Sequence, residues 1–332
     1  MIGVGLLGCG RIGQVHALSL SRLTDTAHLV AVADADPVAA QALADKAGTE
    51  VMDSEALIMS ESIDVVIIGT PTATHANLIH MACRVGKAIF CEKPIDLTAE
   101  RVRNCIRAID TADIPFFTAF QRRFDPGFAA LERQLRSGEL GKIELVMLTS
   151  RDPGPPPIDY VRSSGGLFRD MMIHDLDMAR FLLAENPTEI FATGACLVDP
   201  AIGAAGDVDT AAVTLKTASG ALCQISNSRR ATYGYDQRIE VHCEHGMLQA
   251  TNHSEHTLVQ ADANGFHTAP NKPFFLERYA EAYFEEMRAF LAALDSGAAI
   301  RPNHHDGLQA QILADSAQTS HETGQAVSID PE

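Results

Sequence analysis

The stretch Gly165–Asp177 carries residue types and spacings that could do chemistry. Read as a helix of ~100° per residue, it puts Asp170, His174 and Asp177 at about 0°, 40° and −20°, a narrow polar strip. Met172, Leu176, Ala179 and Leu183 fall between about 180° and 240°, so an apolar stripe can face a core. His174 could take a hydroxyl proton near neutral pH. Asp170 lies one turn before it and could orient or polarise the ring. A solvated helix face would show the same strip, so the weight of this reading depends on what else the chain carries.

It carries a strand, a tight glycine turn and a helix at its start. Ile2–Leu7 reads as a buried strand, and Gly8-Cys9-Gly10-Arg11-Ile12-Gly13 leads into a helical pattern running to about Leu23. This is GxGxxG in the context that binds a dinucleotide pyrophosphate at a helix N-terminus. A second strand, His28–Ala33, ends in Asp34, placed to accept from the adenosine ribose hydroxyls. Ala35 follows, with no Arg for a ribose phosphate, so NAD is favoured over NADP.

Strands and helices go on alternating. Asp64–Gly69, Lys87–Cys91 and Phe116–Phe120 read as strands, and Pro37–Lys46, His75–Arg84 and Thr98–Ile109 as helices. The pattern implies an α/β fold with a doubly wound parallel sheet, whose ligands bind beyond the carboxyl ends of the strands. Thr70, Pro71, Glu92, Lys93 and Gln121 lie there, with His75 opening the next helix, and these are the expected cofactor-side residues. Lys93 also stands where it could donate to a substrate hydroxyl or carbonyl. Local hydrogen bonding is the simpler role for His75, and a structural one for His16.

Arg122-Arg123-Phe124-Asp125-Pro126 breaks the alternation and marks a boundary, giving an NAD-binding domain over 1–121 and a second over 122–332. The terminal helix is a candidate to pack back on the first. After Leu183 the chain reads as strands joined by short turns: Glu189–Val198, Asp207–Lys216, Ala221–Ser228, Gln237–Cys243, Met247–Thr251 and Thr257–Ala261. Together with Ile143–Ser150, they predict an α/β (α+β-like) domain with a large, open, mostly antiparallel sheet. Such a sheet has more surface than one helix covers, which predicts a homo-oligomer.

Composition narrows the classes. The chain has 332 residues, is 46% hydrophobic and has a formal net charge of −17. That charge argues against nucleic-acid or anionic-membrane partners. The seven Cys form no CxxC pair, and no apolar run reaches the length of a membrane span. With a strand starting at residue 2 and no signal-peptide pattern, a cytoplasmic protein with reduced cysteines is expected. His304-His305-Asp306 looks like a metal cluster on paper. Adjacent His residues do not readily share a face, so it is read as a solvated helix start, and no metal is expected.

Taken together and in order, Gly8–Gly13, Glu92-Lys93-Pro94 and Gly165-Gly166…Asp170…His174-Asp175 resemble the Gfo/Idh/MocA oxidoreductase family. Arg122–Asp125, Tyr233-Gly234-Tyr235-Asp236 and Glu277-Arg278-Tyr279…Ala282-Tyr283 resemble its inositol-oxidising branch. The resemblance covers nearly the whole chain. It implies a Rossmann domain, an open-sheet second domain, and a dimer or tetramer. It also implies hydride transfer between NAD and a secondary alcohol of a polyol or sugar, here myo-inositol to its 2-ketone. By motif, Lys93, Asp170 and His174 match the family's catalytic trio. Asp152, Arg123 and one of Tyr233 or Tyr235 match its substrate pocket. Two alternatives use the same residues: another sugar or inositol isomer, or an NAD-dependent glycoside hydrolase of the same fold.

Overall fold

The structure, a computed structural model, describes residues 1–330. The chain packs as two units: Met1–Phe124 with Glu281–Ile312, and Asp125–Ala280 with the stretch from Leu313.

In the first unit, β1 (Ile2–Leu7), α1 (Arg11–Ser21), β2 (Ala27–Ala33), α2 (Pro37–Ala47), β3 (Glu50–Val51), α3 (Ser54–Met59), β4 (Val65–Ile68), α4 (His75–Arg84), β5 (Ala88–Glu92), α5 (Ala99–Ala112) and β6 (Phe116–Ala119) follow in turn. The sheet is six-stranded and parallel, in the order β3-β2-β1-β4-β5-β6. The two-residue β3 is an edge too short to show as a sequence period. Alternate residues of the five longer strands enter two different cores. Val66 and Ile68 pack on one side with Ile79, Val102 and Ile106. Val65 and Ile67 pack on the other with Ala17, Leu20 and Ala40. Both faces are therefore covered, the reason these strands read as unbroken apolar runs. Each fully buried aliphatic side chain contributes roughly 1.5–3 kcal/mol.

The helices are well bounded. Asp36 accepts from Val38 N–H with Pro37 in the first turn, and Gly48 closes α2 in the left-handed region (φ 68°). Asp53 and Thr98 cap α3 and α5 in the same way. The returning segment Glu281–Ile312 joins this unit through Met287, Phe290 and Leu291, which enter the core beside Phe90 and Phe117.

The second unit contains α6 (Pro126–Arg136), β7 (Ile143–Arg151), α7 (Ile158–Ser164), α8 (Leu167–Asp170), α9 (Ile173–Leu183), β8 (Pro187–Ala195), α10 (Pro200–Ala204), β9 (Thr210–Thr217), β10 (Leu222–Ser228), β11 (Asp236–Cys243), β12 (Gly246–Ala250), β13 (Val259–Asp262), β14 (Gly265–Thr268) and α11 (Phe275–Arg278). Two long helices, α12 (Ala280–Ser296) and α13 (His304–Thr323), and the short β15 (Val327–Ser328) complete the chain. The seven-stranded sheet runs β12-β11-β7-β10-β9-β8-β15. It is antiparallel except for β7 and β10, which pair in parallel.

Two details correct the sequence reading. The strand expected at Thr257–Ala261 is not part of this sheet. Val259–Asp262 pairs only with β14, as a separate hairpin exposed along its length. The helix expected across Asp170 and His174 is broken at Met171–Met172, where Met171 and Met172 N–H both turn back to Leu167 O. Met171 and Met172 keep near-helical angles, so no Pro or Gly marks the break.

Asp209, fully buried just before β9, anchors the turn between β8 and α10. Its carboxylate accepts N–H from Leu197 (2.8 Å), Val198 (2.8 Å) and Asp199 (3.0 Å), and the Thr210 hydroxyl (3.0 Å). Burial alone would raise its pKa, but these donors favour the charged form and bring it down to about 2. A carboxyl depressed below its unfolded value of about 3.9 adds stability above that pH and loses it as pH falls toward 2. Asp209→Asn turns an amide N–H toward these donors and is expected to cost roughly 1–3 kcal/mol at pH 7. The gap should narrow between about pH 4 and pH 2. Urea unfolding at a series of pH values checks this, and a gap unchanged by pH would contradict it.

Candidate active site

The first unit carries the residues expected on the cofactor side. Its strand order reverses between β1 and β4, the switch point where doubly wound sheets open a crevice. The turn Gly8–Gly13 and the loop Gly69–Pro71 leave those two strands side by side. Gly8 has φ +97°, and a Cβ there would stand 2.5 Å from Gly69 O. A Cβ on Gly13 would stand 1.9 Å from Gly8 O, so α1 can approach β1 only with glycine at that place. Gly10 differs, with nothing within 4 Å of where its Cβ would be. It is the N-cap of α1, which has no side-chain cap. Open space in front of an uncapped helix N-terminus, extended by Arg11 and Ile12, fits a pyrophosphate.

Asp34 follows β2. One of its carboxylate oxygens accepts Cys9 N–H (2.6 Å) and the other Asp36 N–H (2.8 Å), so the carboxylate is fixed against the glycine turn. Each oxygen keeps a lone pair for a ribose hydroxyl.

His75 is 1% exposed. Its Nε2 lies 2.8 Å from Thr70 O and its Nδ1 3.0 Å from Pro94 O, and burial lowers its pKa. The neutral ring donates to one of these carbonyls, tying the loop after β4 to the loop after β5. His75 therefore stands behind the cofactor-side loops.

Lys93 is half-buried just past β5, between the buried Glu92 and Pro94. Glu92 bonds His16 Nε2 (2.8 Å), and His16 is fully buried edge-on to Phe90. Glu286 of α12 is also fully buried nearby, and burial together with the Glu92 charge pushes its carboxyl far up into the neutral form. The His16–Glu92 bond anchors the residue that precedes Lys93. Gln121 is buried two residues past β6. Arg123 extends to Asp306 (3.1 Å), which also accepts Asn303 N–H.

The second unit carries Asp170 and His174. Gly165 and Gly166 both take positive φ (89° and 84°), turning the chain sharply between α7 and α8. Within Met171–Ala179 every residue except His174 is buried. Met172, Leu176 and Ala179 form the apolar side as expected. Asp177 does not face solvent on the polar strip: it is 1% exposed, 3.9 Å from Arg180. Asp175 is buried too, accepting from Ser150 Oγ (2.5 Å) and Asn227 Nδ2 (3.0 Å), and so pins α9 to β7 and β10. His174 thus keeps access on a helix otherwise locked in place.

Asp170 is held from two sides. Tyr160 Oη donates to its Oδ1 (2.8 Å), and Arg229 Nη2 donates to its Oδ2 (3.3 Å). Arg229 also lies 3.9 Å from Asp152, the residue after β7. Arg229 escaped the sequence reading because nothing local in the sequence marks it.

The two candidate tyrosines separate clearly. Tyr235 is 5% exposed and packs on Phe274 and Tyr279. Tyr233 is 54% exposed, and its hydroxyl donates to Asp236 (2.7 Å). Burial and that bond raise the Tyr233 pKa, keeping the phenol neutral. Asp236 accepts from Arg238 and Asn252 as well. Nearby, Arg278 is buried against Asp125, which in turn caps α6.

Away from these residues, Asp110, His304 and His305 bring ligand atoms within 4.8 Å of one another, closer than adjacency suggested. His304 and His305 open α13, whose positive start disfavours a bound cation, and Asp110 reaches them from the last turn of α5. Among the described residues no helix is long and apolar enough to cross a membrane.

Comparison with known proteins places the chain in a family. Residues 2–120 match the family model of the oxidoreductase family with an NAD-binding Rossmann fold, and residues 128–249 that of the GFO/IDH/MocA C-terminal domain. The chain is 52% identical to inositol 2-dehydrogenase of Rhizobium meliloti over 98% of each chain. It is similar to the crystal structure of a myo-inositol dehydrogenase from Corynebacterium glutamicum, with TM-score 0.95, 40% identity and 100% of each chain covered. It is also similar to the Lactobacillus casei myo-inositol dehydrogenase in complex with NAD(H) and myo-inositol, with TM-score 0.88, 26% identity, 100% of this chain and 98% of that one. An uncapped glycine turn at the switch point, Asp34 beside it, Lys93 past β5 and the Asp170–His174 segment thus sit in a chain that belongs to the Gfo/Idh/MocA oxidoreductase family.

Proposed function

We propose that the protein oxidises a secondary alcohol of a cyclic polyol, myo-inositol, to 2-keto-myo-inositol. The observation that carries this reading is His174, the one residue of Met171–Ala179 that is not buried, close in the chain to an Asp170 held on both oxygens. The names borne by relatives identical over 40% or more of the chain support the substrate.

In this reading Lys93, Asp170 and His174 act on one substrate carbon. Bound NAD supplies the hydride acceptor. His174 takes the hydroxyl proton as the C–H bond breaks, and Asp170 favours the imidazolium that forms. Lys93 donates a hydrogen bond to the reacting oxygen, which gains negative charge in the transition state. Asp152, Tyr233 and Arg123 line the polyol side, with Tyr233 preferred over Tyr235 because its ring is open to a ligand. Gly8, Gly10, Arg11, Ile12, Gly13, Asp34, Thr70, Pro71 and Gln121 hold the cofactor, and His75 and Glu92 serve it through the loops they fix. The first unit thus binds NAD, and the second binds substrate and forms the oligomer. All seven cysteines are free thiols, which suits the cytoplasm.

The test is NADH formation with myo-inositol, scyllo-inositol and common aldoses, each with NAD and with NADP. Turnover of myo-inositol with kcat/KM clearly higher for NAD is expected, since the Asp34 carboxylate repels a ribose phosphate. Turnover of an aldose alone would reassign the substrate, and a preference for NADP would remove Asp34 from the ribose.

We also infer a homo-oligomer formed through the open face of the second sheet. Glu240, Met147, Gln224, Thr214 and Phe191 lie in one row across five strands of that face. Met147, Phe191, Leu222 and Met247 are each at least 40% exposed. Light scattering is expected to return a dimer or tetramer, and a stable monomer would contradict this.

A further inference from the structure

Arg229 sits just past β10 with 2% of its surface exposed, a costly place for a guanidinium unless charge partners surround it. The sheet explains how it comes to lie there. β7 and β10 are the one parallel pair, with Arg151 opposite Ser228. Asp152 and Arg229 therefore leave the sheet side by side, at the same carboxyl end. Asp152 N–H donates to Ser228 O (2.9 Å) and Arg229 N–H to Asp209 O (2.8 Å), so both backbones are fixed. From there the guanidinium fork reaches two carboxylates, Asp170 at 3.3 Å and Asp152 at 3.9 Å. Tyr160, from α7, takes the other oxygen of Asp170 at 2.8 Å. A carboxylate gripped on each oxygen by a donor from a different element has a fixed plane as well as a fixed place. Burial keeps Arg229 away from a bound polyol, so it can act only through the two acids.

We propose that Arg229 is a positioning residue of the reaction: with Tyr160 it sets the plane of Asp170 and neutralises the paired charge of Asp170 and Asp152. This rests on the reading of Asp170 as part of the catalytic group. Arg229→Gln leaves two acids close together without their shared cation.

The test is a double-mutant cycle on the purified full chain, using the polyol that the wild type turns over. Arg229→Gln is expected to lower kcat roughly tenfold or more, with KM for NAD changed less than about twofold. Arg229→Lys should recover part of the loss, since it keeps the charge but not the fork. Added to Asp170→Asn, Arg229→Gln should lower kcat by less than about twofold, because its effect runs through Asp170. Multiplicative losses in the double variant would overturn the proposal. Tyr160→Phe removes one hydroxyl from a half-exposed ring and so tests the same hold without disturbing a buried charge. It should lower kcat by roughly two- to tenfold, and only while Asp170 is present. An unchanged kcat in Tyr160→Phe would sink the two-sided hold. If the wild type turns over no polyol or sugar, the functional reading fails rather than this one. Urea unfolding of the same four proteins of the cycle then decides. A double variant that loses less stability than its two singles combined supports the pairing, and an equal loss overturns it.

Discussion

Replacing His174 by alanine is expected to lower kcat on myo-inositol by roughly 100-fold or more, the scale of a lost general base. The dissociation constant for NAD should stay near the wild-type value. The cofactor is assigned to the glycine turn and Asp34, and both lie in the first unit while His174 lies in the second. The fold should survive as well, because α9 is held by Asp175 through Ser150 and Asn227 rather than by His174. Steady-state kinetics beside fluorescence titration of NAD separates the two effects. Near-normal turnover in the variant would mean that the proton leaves by another route.

Lys93→Met is expected to lower kcat by roughly 100- to 1000-fold, since a hydrogen bond to an oxygen gaining charge counts most in the transition state. Methionine keeps the length and the apolar stem of lysine, so the loop after β5 should hold its shape. Lys93→Arg should restore little, because a planar fork cannot replace a compact ammonium at one oxygen. Full activity in Lys93→Arg would show that positive charge alone is needed. Full activity in Lys93→Met would remove the residue from the reaction.

The first unit was the more legible in sequence. Its strands are short apolar runs bounded by turn residues, and Gly8 and Gly13 are required by contacts within the motif or one strand away. The two-residue β3 gave no period to read. The second unit depends more on distant pairings. The parallel match of β7 with β10 joins segments about 75 residues apart and alone brings Arg229 to Asp152. Arg278 meets Asp125 across 153 positions, and Asp110 meets His304 across 194. No local period encodes such contacts.

The central helix shows the other kind of failure. Asp170 and His174 were found from a regular 3.6-residue spacing, yet the helix breaks between them at Met171–Met172. The spacing names two polar residues close in the chain, but the continuous helix it implies does not form. Asp170 is oriented by Tyr160 and Arg229. Asp177, placed on the same strip by the regular spacing, is buried. Burial also separated Tyr233 from Tyr235, a choice that the repeated aromatic pattern left open.

The most direct measurement of the central claim follows the hydrogen itself. Myo-inositol carrying deuterium at the oxidised carbon would be incubated with the wild-type protein and NAD, and the reduced cofactor isolated and weighed by mass spectrometry. The account predicts one deuterium on each NADH formed, together with a primary isotope effect on the rate of the chemical step. Deuterium released to solvent, or product formed with no NADH accumulating, would contradict it.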